Sequence, residues 1–230
     1  MTTELTSEMV REYCRDAGAD VVGIAASNGF DLAPEGFKPT DVLPECLSVV
    51  VLGATFSPEV FESVAEYTAC RNSMLTKMTE MAKVVSKRIK ANGYKVKAIS
   101  ASGGKSIDRD GNKELFGHIS LKHAAENAGL GVIGKNYLLT NPRYGNLLWL
   151  SADLTDAELD YDEKIQSGMC DDCNICVEAC PAGSLGNPAA FGKKGCAKYF
   201  RIEDRKLKIK CYLCRTICPH GFGALANTIQ

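Results

Sequence analysis

The sequence predicts an α+β protein in two parts, a layered domain over residues 1–160 and a cysteine-rich domain over residues 161–230. Through the first 150 residues, short apolar runs of strand type alternate with helical patterns, which is typical of layered domains. The composition then changes. Residues 153–178 hold nine acidic residues and one lysine, whereas residues 192–215 hold nine basic residues and two acidic ones. The second part also contains eight of the eleven cysteines.

The overall composition limits the class of protein. The chain has 230 residues, a formal net charge of −1 and 45% hydrophobic residues, which suits a folded protein and gives no global signal for nucleic-acid binding. The N-terminal residues lack a basic start, an apolar run and a twin arginine, so no export signal is visible. No apolar stretch approaches the roughly 20 residues that a membrane-spanning helix needs. We therefore expect a cytoplasmic protein without a disulfide framework.

Three elements are predicted in the first 53 residues. A helix over residues 6–17 can be capped by Thr6 or Ser7 and can end at Gly18 in the left-handed conformation. Strands follow at residues 20–25 (DVVGIA) and 48–53 (SVVVLG), the second continuous and β-branched, as in a strand buried on both faces. Between these strands, asparagine-glycine and several prolines predict a long irregular connection.

The next elements are a long helix, a strand and a loop. Ser57-Pro58-Glu59 has the pattern of a helix start, and apolar residues then recur at helical spacing until Gly93. Residues 94–99 alternate like a strand. Residues 100–111 are polar and contain two glycine-bearing turns, which predicts an irregular connection, either a plain surface loop or a mobile loop over a ligand. A short helix is predicted over residues 120–128.

A glycine-rich segment follows that helix. The spelling from Gly129 to Gly134 matches G-x-G-x-x-G, but it follows a helix rather than a strand, and no helix clearly opens after it. We interpret it as a tight glycine-bearing turn and not as a nicotinamide site. Two strands, at roughly residues 137–140 and 146–152, flank the turn-forming sequence at residues 141–145.

The cysteines form two runs. The first has the spacing C-x₂-C-x₂-C-x₃-C-P, which holds cubane iron–sulfur clusters in bacterial ferredoxins. The second has two and then three intervening residues before its own Cys-Pro, so it lacks one local cysteine, and Cys196 can replace it. In two-cluster ferredoxins the cysteine before proline serves the other cluster. The predicted ligands are therefore Cys170, Cys173, Cys176 and Cys218 for one 4Fe–4S cluster, and Cys180, Cys196, Cys211 and Cys214 for the second.

Zinc is the alternative for these cysteines. Two C-x-x-C pairs at a suitable separation would make a structural zinc site. That assignment would leave four cysteines and both Cys-Pro pairs unexplained, so we favour clusters. The scattered Cys14, Cys46 and Cys70 are interpreted as buried apolar thiols.

The segments KHAAENAGLGVIGKN at residues 122–136, LLTNPRYG at residues 138–145 and LTD at residues 154–156 resemble epoxyqueuosine reductases and reductive dehalogenases. The cysteine order, with Gly195-Cys196 ahead of the second run, matches that group too. The resemblance covers roughly residues 115–220 well and the first hundred residues in outline. It implies a minimal family member, with a nitroreductase-like α/β sandwich domain that binds cobalamin beside a bacterial-ferredoxin-like domain. One cluster would reduce the cobalt to its nucleophilic Co(I) state.

The resemblance also implies site residues. The residues matched to the corrinoid contacts are those of the glycine turn: Gly131, Ile133, Gly134, Lys135, Asn136 and Tyr137. Packing of a helix against a strand is an equally good explanation of this turn. The tRNA-modifying relatives carry an aspartate proton donor about thirteen residues before their Ala-Gly-Leu-Gly turn. An ungapped placement puts Leu115 there, so Glu114 and His118 become the predicted proton donors, against the plainer interpretation of an exposed acid and a satisfied histidine.

Two other functions are open. A two-cluster electron-transfer protein would dock on a partner, for example a corrinoid protein, through its charge-divided cysteine domain and would do no substrate chemistry of its own. A tRNA-modifying enzyme would need its basic residues to converge on one face, and the 192–215 stretch could supply them. We rank tRNA below the other partners. The leading prediction is a cobalamin-dependent reductase of an unidentified substrate, supplied by a low-potential donor of the ferredoxin or flavodoxin type.

Overall fold

The computed structural model of the chain describes residues 4–31, 33–101, 104–109, 112–186, 196, 200–203, 206–209 and 211–224. For residues 105–109, 112–116, 200–203 and 206–209 it describes the backbone alone. Among the described residues, no helix is both long and apolar enough to cross a membrane.

Six helices and ten strands are described, and two 3₁₀ turns, Ser27–Phe30 and Pro58–Glu62, lie between them. The helices are α1 Ser7–Asp16, α2 Pro39–Val42, α3 Val64–Ala91, α4 Leu121–Asn127, α5 Ile175–Glu178 and α6 Leu213–Thr216. The strands are β1 Val21–Ala26, β2 Ser48–Thr55, β3 Val96–Ile99, β4 Lys105–Arg109, β5 Asn112–Phe116, β6 Val132–Ile133, β7 Leu139–Thr140, β8 Leu148–Thr155, β9 Phe200–Glu203 and β10 Lys206–Ile209.

These strands form one four-stranded sheet and three two-stranded ones. The large sheet has the order β1-β2-β8-β3. β1 and β2 run antiparallel with Val21 opposite Gly53, and β3 and β8 run antiparallel with Val96 opposite Thr155. The small sheets pair β4 with β5, β6 with β7, and β9 with β10. The mixed α+β class predicted from the sequence is confirmed.

The residue contacts divide the chain into two compact units, each built from three segments. The first, which we call the sheet unit, comprises Met1–Ala54, Met74–Leu130 and Trp149–Ile165. The second, the cysteine unit, comprises Thr55–Ser73, Gly131–Leu148 and Gln166–Gln230. The division is therefore discontinuous in sequence. The glycine turn, which the sequence analysis assigned to the first domain, shares a unit with both cysteine runs.

The core of the sheet unit follows from the predicted apolar patterns. β2 is buried from Ser48 to Ala54, as its continuous apolar run predicts. The buried face of α3 carries Met74, Met78, Met81, Ala82, Val85 and Ile89, with Leu75 of the predicted stripe half-buried. The α4 end approaches β1 so closely that a Cβ on Gly23 would lie 2.2 Å from the Ala128 carbonyl oxygen. Helix α4 can therefore lie on the sheet only where the strand has no side chain.

Two local predictions need correction. Ser57-Pro58-Glu59 begins a 3₁₀ turn, in which the Ser57 hydroxyl accepts from the Glu59 N–H at 3.4 Å, and helix α3 starts only at Val64. The irregular connection predicted over residues 100–111 is wrong, because residues 105–109 form β4, which pairs with β5. Asp-Gly at residues 110–111 between the two strands is a common signal for a β-hairpin.

The other elements agree with the sequence. Helix α1 is capped by the Thr6 hydroxyl, which accepts from the Met9 N–H at 3.3 Å, and it is followed by Gly18 at φ 95°. Strands β1, β2, β3 and β8 and helix α4 lie within a few residues of their predicted bounds. In the described residues of the long connection between β1 and β2, a 3₁₀ turn and the single-turn helix α2 are the only regular elements.

Candidate metal centre

The glycine turn, residues 131–137, includes β6 and leads into β7, with which β6 pairs in a tight hairpin. The tight turn was predicted, whereas β6 was not. The Gly134 N–H donates to the Leu138 carbonyl at 3.0 Å, and the Tyr137 N–H donates to the Gly134 carbonyl at 2.8 Å. Gly131 has φ 155°, and a Cβ there would lie 2.4 Å from the Thr140 carbonyl oxygen, so only glycine fits. Tyr137 has φ 57° and is the only non-glycine residue with positive φ in the described part of the chain. The hairpin is closed by contacts that tolerate little change.

The first predicted ligand set shares one electrostatic neighbourhood. Cys176 is buried, and its pKa is raised first by that burial and then by the negative charges of Cys218, Cys170 and Cys173. Burial likewise raises the pKa of Cys218, as do the charges of Cys170 and Cys173. Cys218 comes from the second run, yet its thiol interacts with thiols of the first. This neighbourhood supports the exchanged ligand set, which stays a prediction.

The second predicted set shows the same kind of coupling. Burial raises the pKa of Cys196, and the charges of Cys211 and Cys180 raise it further. Burial raises the pKa of Cys214 to about 11 against the opposing effect of Arg215. Cys196, Cys211 and, from the first set, Cys176 contribute to the increase. Cys196, which belongs to neither run, therefore interacts with Cys180 of the first run and with Cys211 and Cys214 of the second.

The chemistry of this donor set fits iron–sulfur clusters. Among the described residues, no three histidine, cysteine or carboxylate side chains are close enough together to bind one metal ion. A cubane has a core of four irons and four sulfides between its ligands, so its thiolates stand further apart than those of a tetrahedral zinc ion, where Zn–S is about 2.3 Å. Thiolates are soft ligands suited to either. The eight cysteines of the two predicted sets match two cubanes in number.

The glycine turn touches the first cysteine run at two points. The Lys135 ammonium donates to the Asp171 carbonyl and to the Asn174 side-chain oxygen, both at 3.0 Å. A Cβ on Gly134 would lie 3.3 Å from the Cys170 sulfur, which is closer than most side chains come to such an atom. The turn backbone therefore lies directly against a predicted cluster ligand.

The same turn and the segment after it hold the second run. The Asn136 amide donates to the Cys214 carbonyl at 3.0 Å, while its oxygen accepts from the Leu138 N–H at 3.1 Å. The Asn146 N–H donates to the Gly221 carbonyl at 2.8 Å, and the Arg215 guanidinium donates to the Asn146 carbonyl. Residues 131–148 thus form hydrogen bonds with both cysteine runs within one unit.

An aromatic cluster beside the second run was not predicted. It consists of Phe56, Phe61, Tyr67, Tyr212 and Phe222. Tyr212 lies between two predicted ligands in sequence, its ring is 5.1 Å from that of Phe61, and its hydroxyl donates to the Phe61 carbonyl at 2.7 Å. The aromatic residues are visible in the sequence, but they are about 150 residues apart, so no local pattern pairs them.

The predicted proton donors lie in and after the β4–β5 hairpin of the sheet unit. Glu114 is in β5 opposite Ile107, and its side chain falls outside what the structure describes. His118 is half-buried just after β5. Of the other histidines, His123 shares a 2.7 Å hydrogen bond with the Ser120 hydroxyl, and His220 is exposed. The proton-donor role of Glu114 and His118 stays a prediction.

The six predicted corrinoid contacts divide by what their side chains do. Lys135 and Asn136 direct their polar ends to the cysteine runs. Ile133 and Tyr137 are half-buried, and Gly131 and Gly134 are buried. Small and apolar groups of this kind suit the face of a flat macrocycle, so the residues present are compatible with a corrinoid.

Comparison with known proteins gives relatives of the predicted group. No protein-family model matches the chain. The epoxyqueuosine reductase of Bacillus subtilis (strain 168) is 22% identical over 96% of this chain and 64% of its own length. That of Gloeobacter violaceus is 33% identical over 47% of this chain and 38% of its own length. The chain therefore spans less than two thirds of the curated relatives it matches.

Solved structures agree. A crystal structure of epoxyqueuosine reductase with an epoxyqueuosine-modified tRNA-Tyr stem loop has a TM-score of 0.64 at 21% identity, covering 93% of this chain and 64% of that one. A reductive dehalogenase structure, described with a mechanism for B12-dependent dehalogenation, has a TM-score of 0.63 at 18% identity, covering 96% and 34%. The resemblance predicted from the sequence is confirmed, and the fold is that of these proteins.

Proposed function

We propose that this protein is an iron–sulfur oxidoreductase that passes electrons through two 4Fe–4S clusters to a bound cobalamin and reduces a substrate in the manner of epoxyqueuosine reductase. The observation that most supports this proposal is that the glycine turn contacts both cysteine runs within one compact unit. A corrinoid on that turn would lie a short distance from the clusters.

The chain's own residues have defined tasks in this proposal. The eight cysteines hold the clusters, and Lys135 and Asn136 fix the loops that carry them. Ile133, Tyr137 and the two glycines of the turn offer a surface for the corrinoid. A bound corrinoid supplies a cobalt centre that can be strongly reduced and can then reduce a substrate. Glu114 and His118 are the residues proposed to deliver a proton to that substrate.

Retention of cobalamin is the decisive test. Protein reconstituted anaerobically with iron and sulfide should bind about eight irons and, after gel filtration with added cobalamin, about one cobalt per chain. The Ile133→Ala variant should retain less cobalamin, because it removes apolar contact area from the turn. Val84→Ala, at an exposed apolar position on α3, is the matched control and should retain it fully. Full iron content with no cobalamin retained would reject the corrinoid half of the proposal and favour the electron-carrier alternative.

We propose a tRNA carrying epoxyqueuosine as the first substrate to test. From the sequence alone, tRNA ranks below other partners, but a protein of matching fold has been solved with such a tRNA stem loop. The reduced holoprotein should bind and reduce a modified stem loop, with affinity falling as salt rises. Binding neither modified nor unmodified stem loop at low salt would exclude tRNA and leave the substrate of the reductase to be found elsewhere.

A further inference from the structure

We propose that Lys135 sets the potential of the cluster held by the first cysteine run, raising it above the value that the loop alone would give. The inference rests on the cluster half of the proposed function and does not require a corrinoid. It assigns to Lys135 a task different from contact with the cofactor, because its polar end is directed to the run. Lys135 is thereby a positioning and tuning residue for electron transfer.

The contacts of Lys135 fix its charge within the loop. Its ammonium donates to the Asp171 carbonyl and to the Asn174 side chain, each at 3.0 Å. Asp171 directly follows Cys170, and Asn174 directly follows Cys173, so both acceptors adjoin predicted ligands of one cluster. Two hydrogen bonds to groups three residues apart hold the ammonium over this turn of chain. The backbone of the preceding residue, Gly134, lies so near this loop that a Cβ there would be 3.3 Å from the Cys170 sulfur.

The surrounding charges make this cation important. Asp171 and Asp172 are exposed beside the same ligands and add negative charge to an already anionic cluster. Each electron that enters a cluster increases its negative charge, so a nearby cation stabilises the reduced form and a nearby anion opposes it. Lys135 is half-buried, but its hydrogen bonds to the loop are exposed, so solvent screens part of its charge. The ammonium offsets part of the negative charge of the two aspartates beside this cluster.

The second run has a different partner from the turn. Asn136, the next residue, donates to the Cys214 carbonyl through a neutral amide. Successive residues of one turn thus give a charged donor to one loop and an uncharged donor to the other. This difference predicts that removal of the Lys135 charge changes the potential of the first cluster and leaves that of the second unchanged.

A redox titration followed by electron paramagnetic resonance tests the proposal on the reconstituted protein without cobalamin. Lys135→Gln and Lys135→Met remove the charge, and Lys135→Arg keeps it. In the first two variants, one of the two cluster signals should shift to a more negative midpoint. We expect at least a tenfold change in its ratio of oxidised to reduced forms at fixed potential, which is about 59 mV for a one-electron couple. The other signal and the Lys135→Arg protein should keep wild-type midpoints.

Lys77→Gln, which removes an exposed lysine from α3, is the matched control and should shift neither signal. Unchanged midpoints in both uncharged variants, with full iron content, would overturn the proposal. An equal shift in Lys135→Arg would also overturn it, since charge would not be the cause. If the uncharged variants bind less than the full iron content and the arginine variant binds all of it, Lys135 serves to hold the loop, and the proposal that it tunes the potential is rejected. Failure of the wild-type protein to retain cobalamin would reject the corrinoid proposal and leave this one standing.

Discussion

At the scale of single residues, two kinds of position limit what this chain tolerates: glycines in close approach and buried polar groups without full hydrogen bonding. Gly131 and Gly18 both have positive φ, at 155° and 95°. Only Gly131 faces backbone, whereas a Cβ on Gly18 would meet nothing within 4 Å. Substitution of Gly18 therefore tests backbone conformation alone, whereas substitution of Gly131 tests conformation and steric contact together.

Gly131→Ala should be far more damaging than Gly18→Ala. The Gly18 change costs only the strain of a side chain at positive φ, about 1–2 kcal/mol. The Gly131 change adds a clash with the Thr140 carbonyl and should open the hairpin that holds both cysteine runs. We expect a small decrease in melting temperature for Gly18→Ala, and a large decrease with loss of iron for Gly131→Ala. Equal effects of the two substitutions would mean that the backbone moves to avoid the clash with the Thr140 carbonyl without loss of stability.

Asp153 is the buried carboxyl with the largest consequence for pH. Its side chain is fully buried, one oxygen accepts from the Ser86 hydroxyl at 2.7 Å, and the other has no partner among the described residues. Burial raises the pKa of Asp153 from 3.8 to about 8, against the smaller lowering by Ser86. Folding therefore keeps this group protonated at a pH where the unfolded chain ionises it.

The raised pKa of Asp153 makes the stability of the folded protein depend on pH. Between pH 4 and pH 8 the folded state binds a proton that the unfolded state lacks, so this group's contribution to stability falls as pH rises. The slope is up to about 1.4 kcal/mol per pH unit. Asp153→Asn should flatten the fall in anaerobic melting temperature between pH 5.5 and 7.5, whereas the exposed control Asp31→Asn should keep the wild-type profile. A wild-type slope in Asp153→Asn would contradict the raised pKa.

At the scale of elements, the glycine turn and the segment after it hold the cysteine loops through hydrogen bonds. Its hydrogen bonds to the first run come from Lys135, and those to the second come from Asn136 and, further along, Asn146. The loops themselves contain only the one-turn helices α5 and α6. Short loops with little regular structure depend on such external contacts to hold their ligands in place.

Asn136→Asp should loosen the second loop without changing the shape of the side chain. The carboxylate still accepts from the Leu138 N–H but cannot donate to the Cys214 carbonyl, and leaving a buried carbonyl unpaired costs about 1–3 kcal/mol. Iron loss to a chelator should accelerate by about tenfold, which corresponds to about 1.4 kcal/mol.

Asn92→Asp is the matched control for that change, because the Asn92 amide also donates to a backbone carbonyl, that of Arg88 at 2.9 Å, but within the sheet unit. It should leave the rate of iron loss unchanged. A similar acceleration in both variants would point to general destabilisation instead of loosening of the second loop.

At the scale of the whole molecule, two assignments of the cluster ligands make different predictions. In one, each cluster takes a cysteine from the other run; in the other, each run supplies its own cluster. If Cys176 and Cys218 serve one cluster, the double variant Cys176→Ser, Cys218→Ser should lose one cluster and keep the other. The double variant Cys176→Ser, Cys180→Ser should damage both. A cluster built from Cys170, Cys173, Cys176 and Cys180 alone would give the reverse pattern. Iron content and the number of reduced-cluster signals distinguish the two.

Much of the fold was predictable because its signals are local. Continuous β-branched runs gave β1 and β2, and the recurrence of apolar residues gave the buried face of α3. The β4–β5 hairpin was missed because its strands are polar, although Asp-Gly between them was a usable signal. The start of α3 was misplaced because proline in a first turn suits a 3₁₀ turn as well as an α-helix.

The prediction of iron–sulfur ligands came from the sequence alone, since thiolate type and spacing are local properties of the chain. The sequence by itself also determined the resemblance to the group that the comparisons confirmed. Only the tertiary structure decided that residues 131–148 share a unit with the cysteine runs. The same is true of the direction of Lys135 and Asn136 toward those runs and of the aromatic rings around Tyr212. The physical reason is that these arrangements depend on contacts between segments that are tens of residues apart, and neither residue type nor spacing specifies which distant backbone group a side chain will reach.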